Sequence, residues 1–80
     1  MQAKAKERRA VRQVCTIAVR TTVEFKDTVR LQWVALVTTA YIHSARELAT
    51  QARKDYGAEN VEVVWSTAHM VNEAVERLNR

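Results

Sequence analysis

The sequence predicts an α+β domain: a two-layer sandwich in ββαβα order, with a three-stranded antiparallel sheet of order 2-1-3 covered on one face by two helices. Three observations carry this. Two β-branched segments alternate apolar and polar residues with a period of two. A segment with period 3.6 sits between the second and third extended runs, and a single glycine falls where that helix must end.

The first strand is read from Gln13. Val14, Thr16, Ile17, Val19, Thr21, Thr22 and Val23 crowd this stretch, and side chains branched at Cβ lose rotamer freedom in a helix. Odd positions Cys15, Ile17, Val19, Val23 and Phe25 form the apolar set, while Thr16, Arg20, Thr22 and Glu24 form the polar one. Residues 29–42 repeat the pattern, with Val29, Leu31, Trp33, Ala35 and Val37 on the odd side. Paired residues share a face, so two odd-numbered apolar faces meet only across a loop of odd length. A three-residue loop at 26–28 is therefore expected, pairing Phe25 with Val29, Val23 with Leu31, Val19 with Ala35 and Ile17 with Val37. A two-residue Lys26-Asp27 turn would set Arg30 opposite Val23, inside the expected core.

Ser44-Ala45-Arg46-Glu47 has the spacing of a capping box. Beyond it Ala45, Leu48, Ala49, Ala52 and Tyr56 fall on one helical face, and Arg53 and Lys54 suit the negative end of the helix dipole. Gly57 stands at the helix stop. Its three alanines give the helix a thin buried face, able to lie close to a sheet. Asn60–Ser66 reads as the third strand, with Val61, Val63 and Trp65 inward. Ser66 or Thr67 can cap a last helix over 68–79 whose apolar positions are Ala68, Val71, Ala74, Val75 and Leu78. A strand–helix–strand crossover leaves strands two and three parallel; with strand three beside strand one the order is 2-1-3, every neighbouring pair is antiparallel, and strand one is central.

The 80 residues suit one domain, 13–80, preceded by a basic arm, 1–12. The formal charge of +4 sits in that arm: Lys4, Lys6, Arg8, Arg9 and Arg12 oppose Glu7 alone. Residues 13–80 carry eight cations and eight anions. A basic arm attracts polyanions, so nucleic acid is one candidate partner and these five residues its candidate contacts. The longest uncharged run, Leu31 to Ala45, would span about 22 Å as a helix, short of a bilayer core. Arg12 and Arg20 interrupt any apolar signal segment, and one cysteine gives no internal disulfide, so the expected setting is cytoplasmic with no membrane partner.

Chemistry is sparsely represented. Cys15, His43 and His69 are the only soft or imidazole donors and show no metal-ligand spacing, so neither a metal nor a cofactor is expected. Cys15 has the parity of a core residue, His43 precedes the helix cap, and His69 sits in the first turn of the last helix. One glycine does not build a phosphate loop, and no carboxylate pair occupies an apolar surface. No catalytic residue is expected, and Trp33 and Trp65 read as core.

The outer sheet face is the expected contact surface. By alternation it carries Thr16, Ala18 and Thr22 with Val34, Leu36 and Val64 at its apolar centre, ringed by charges including Arg20 and Arg30. The leading function is a small non-enzymatic interaction module, an inhibitor, regulator or assembly subunit. It would bind a protein partner or itself, as a homodimer, through this face or through an edge strand. A nucleic-acid- or ribosome-associated protein using the arm is the alternative.

Overall fold

A computed structural model describes residues 13–80 of the chain. Strand β1 (Gln13–Phe25) pairs with β2 (Thr28–Thr39), and helix α1 (Ile42–Tyr56) follows. A short 3-10 turn (Ala58–Asn60) leads into β3 (Val61–Thr67), and a second one (Ala68–Met70) into helix α2 (Val71–Leu78). The sheet order is β2-β1-β3 and both pairings are antiparallel. The α+β class, the ββαβα order and the central place of β1 are therefore as the alternation predicts.

Helix α1 lies on the β1 face that carries Cys15, Ile17 and Val19. These three join Ala45, Ala49, Ala52 and Val61 in the core, with Val34, Val37, Leu48 and Val63 packed against it. The alanines let the helix backbone approach the strands closely. Helix α2 contacts β2 and β3, the strands on either side of β1, and buries Val75.

The hairpin departs from the expected register. Its turn is Lys26-Asp27, Phe25 pairs with Thr28, and Val23 pairs with Arg30. Nearer the core Ile17 pairs with Val37, as expected, because Leu36 is an extra residue on β2 where the register shifts between Ile17 and Ala18. This β-bulge supplies the odd residue that the parity argument assigned to the loop. Val34 is thereby turned opposite Val19 and into the α1 core, and Trp33 opposite Arg20 on the other face. Arg30 costs nothing opposite Val23, because the hairpin outruns the helices there and Arg30 is exposed, its guanidinium 4.4 Å from the Phe25 ring centroid.

A second correction concerns the face expected to be open. Val14, Cys15, Thr16, Ile17, Ala18 and Val19 are all buried, so β1 is covered on both faces along its first half. Thr16 and Ala18 are wholly inaccessible, and the Thr16 and Thr38 hydroxyls share a hydrogen bond of 2.9 Å. Among the described residues no buried side-chain polar atom lacks a partner.

Helix ends also differ from expectation. Helix α1 starts at Ile42 with Tyr41 as its N-cap and no side-chain cap bond, so Ser44 lies inside the helix. His43 is likewise an exposed residue of the first turn. Gly57 closes α1 with φ 93°, a conformation that favours glycine, and its N–H donates to the Arg53 carbonyl at 2.9 Å. At the last helix the Ser66 hydroxyl bonds the Thr67 carbonyl, and neither residue caps α2.

Cys15 is fully buried, and burial pushes its thiol up from the ordinary pKa. The folded state thus holds this proton more tightly than the unfolded one. Its contribution to stability is complete below the ordinary thiol value and declines as pH rises through the higher folded value. A chromogenic disulfide reagent at mildly alkaline pH is expected to leave the folded protein unreacted and to titrate one thiol in urea. Rapid reaction without denaturant would contradict the burial.

Candidate protein-interaction surface

The residues assigned to the outer face do not come together. Val34 is half-buried against the α1 core, and Val64, half-buried on β3, lies across β1 from the Leu36 bulge. Leu36 is 46% exposed. Arg20 is engaged structurally: its Nε and Nη2 both donate to Asn60 Oδ1 at 3.1 Å, and its guanidinium lies 5.5 Å from the Trp33 ring centroid. Asn60 in turn donates from Nδ2 to the Tyr56 carbonyl at 2.8 Å, so Arg20 helps hold the end of α1 to the sheet. Arg30 stands apart on the distal hairpin. Lys4, Lys6, Arg8, Arg9 and Arg12 lie outside the described residues.

The two sheet edges are unequal. At β2 the Asn79 side chain closes the middle of the free edge: Oδ1 accepts from the Trp33 N–H at 2.7 Å, and Nδ2 donates to the Trp33 carbonyl at 3.1 Å. A side chain on the edge groups of Trp33 blocks regular strand pairing at that point. β3 pairs only with β1, and its other edge has no strand partner among the described residues.

Beside that edge runs an apolar groove of about 460 Å³ between α1 and β3. Its cause is local. Ala45 and Ala49 are too small to fill the space over Cys15 and Val63, so the helix flank facing β3 leaves a trough. Ile42 and Trp65 stand at its apolar margin, 55% and 49% exposed. Trp65, expected in the core, is thus a surface aromatic beside an unpaired strand. Arg46 and Arg53 form the helix rim, seven residues apart and so about 10 Å along the axis. No acidic residue lines the groove, and neither arginine pairs with a carboxylate among the described residues, where Glu73–Arg77 is the ion pair seen.

Alternation on β3 hides this site, because it assigns Trp65 inward without asking whether the opposing helix reaches it. The available signal was the Ala45, Ala49, Ala52 face, which is thin in exactly the place a tryptophan would need a large neighbour.

Among the described residues no cluster of His, Cys, Asp or Glu could hold a metal ion, and no helix is long and apolar enough to cross a membrane. Among the described residues the molecule is a small α+β domain whose β2 edge is capped by a side chain at Trp33 and whose β3 edge has no strand partner. No family model matches the sequence, and neither the curated proteins nor the solved structures contain a match.

Proposed function

We propose that the domain is a non-enzymatic protein-interaction module that binds by strand addition at the free edge of β3. The observation that supports this is the coincidence of an edge without a strand partner among the described residues with an apolar groove and the exposed Trp65. Main-chain hydrogen bonds along such an edge supply affinity, and pockets for alternate side chains supply selectivity. Aromatic residues at a groove margin are the usual anchors of such contacts. On this reading the protein is an inhibitor, regulator or assembly subunit whose partner brings the added strand, and it works in the cytoplasm, where its lone thiol stays reduced. The charge concentrated in residues 1–12 supports a second reading, in which the arm contacts nucleic-acid phosphates. Binding of that kind weakens steeply with salt and is lost when residues 1–9 are deleted.

Panning short random peptides displayed on phage against the domain and against a Trp65→Lys variant tests the first reading. Enrichment on the parent alone, with amide-exchange protection on β3 when a selected peptide is added, is the expected result. Equal enrichment on both proteins, or protection elsewhere, refutes strand addition at β3.

A further inference from the structure

The occupant of the groove has a definable chemistry, and its derivation rests on the edge-strand reading above. We infer that the α1–β3 groove takes an extended segment with alternating side chains: an acidic residue, an apolar residue two positions on, and a second acidic residue two positions beyond that. Three features of the groove define this sequence.

First, the edge that lacks a strand partner among the described residues belongs to β3, so the added chain is extended and presents every second side chain to the α1 side. Second, the floor and margin toward β3 are apolar, formed by Val63 and Trp65 with Ile42 at the helix start. They accept the middle apolar side chain. Third, the helix rim is cationic. Residues four apart in an extended chain are about 13 Å apart on one face, and those two apart about 7 Å. Arginine side chains spaced about 10 Å along α1 reach the wider pair from within, leaving the apolar side chain between them.

Charge also argues against a second copy of this chain as the occupant. Antiparallel pairing of β3 with β3 about a twofold axis perpendicular to the sheet keeps both α1 helices on the same side. Each Arg46–Arg53 rim would then face its counterpart, and like charges across a contact oppose association. A partner carrying carboxylates meets the same rim favourably, as guanidinium–carboxylate pairs can be bidentate.

The test uses the full chain and synthetic peptides, with titration calorimetry and the intrinsic tryptophan fluorescence of Trp33 and Trp65 as readouts. The probe contains Glu-Thr-Leu-Thr-Glu within a neutral extended flank. One control replaces both glutamates with lysine, one with glutamine, and one moves the second glutamate by a single position so that it faces the other side. The probe is expected to bind, with affinity falling as salt rises, and each of Arg46→Glu and Arg53→Glu should weaken it by about fivefold, the scale of an exposed ion pair. Both arginines are exposed, so these variants are expected to keep the parent's circular dichroism. The lysine and shifted peptides should bind least. If the glutamine or lysine peptide binds as well as the probe and Trp65→Lys abolishes both, the acidic specificity is wrong and strand addition stands. If no peptide binds, or binding survives Trp65→Lys, both readings fall.

Discussion

Ile17→Ala is expected to destabilise the domain by about 3 kcal/mol, within the usual range of about 2–5 kcal/mol for truncating a buried isoleucine to alanine. Ile17 is wholly inaccessible, sits in the buried first half of the central strand, and pairs with Val37 on one side and Val63 on the other. Above it lie Ala45, Ala49 and Ala52, short side chains on a fixed helix face, which cannot move in to fill the space left by removed carbons. The cavity therefore persists and adds its own cost to the lost burial. A domain of this size commonly has about 4–12 kcal/mol in total, so the loss is about a quarter or more of its stability. Urea unfolding followed by far-ultraviolet circular dichroism checks it: the midpoint should fall strongly with little change in slope, and Ile17→Val should fall about 1 kcal/mol short of the parent. Leu36→Ala, at a bulge residue that is 46% exposed, should cost less than Ile17→Ala by a wide margin. Equal losses at the two positions would mean that the core is not where Ile17 lies.

Much of the architecture was legible because the strongest signals are local. The β-branched density of 14–23 and the alternation of 29–37 define two neighbouring strands, and the Gly57 stop divides α1 from β3. Crossover geometry made strands two and three parallel, and the 2-1-3 order needed the further choice of placing strand three beside strand one, which the structure bears out. The face assignment of β1 was less secure than its strand character. Thr16 and Ala18 were placed on an open face by parity, yet Val14 to Val19 contains no charge at all, and such an uninterrupted run also describes a strand buried on both sides. Charge enters only at Arg20, close to where burial begins to ease.

The candidate site was less legible still, for a different reason. A bulge leaves no dependable mark in sequence, since Leu36 is as good a strand residue as its neighbours, and one extra residue inverts the faces of everything beyond it. Groove geometry depends on what a helix leaves unfilled. Arg46 and Arg53 fall off the apolar face of α1 in the sequence, but only the packed structure shows them on the flank beside Trp65.

The bulge makes a prediction on which uninterrupted alternation and the observed register disagree in sign. Continuous odd parity along β2 puts Leu31 inward and Val34 outward. The structure puts Val34 opposite Val19 against the α1 core, and leaves Leu31 67% exposed on the distal hairpin opposite Thr22. Val34→Asp is accordingly expected to destabilise by about 3 kcal/mol, since a carboxylate placed against Val19 and the alanine face of α1 loses solvation without gaining a partner. Part of that penalty is avoided if the new carboxyl takes up a proton, so the loss should shrink as pH falls toward the acidic range. Leu31→Asp should change stability by no more than about 0.5 kcal/mol, the ordinary scale for an exposed position. Measured in parallel by urea unfolding, the two variants separate the registers. A destabilising Leu31→Asp beside a silent Val34→Asp would restore the three-residue loop and remove the bulge. Deleting Leu36 supplies a complementary measurement. It leaves Ala35 opposite Ala18 and Val37 opposite Ile17, now as consecutive pairs in a regular ladder, so the shortened chain should still fold with Val34 facing α1. In that background Val34→Asp should remain the damaging substitution, because the deletion removes the extra residue without turning either half of the strand over.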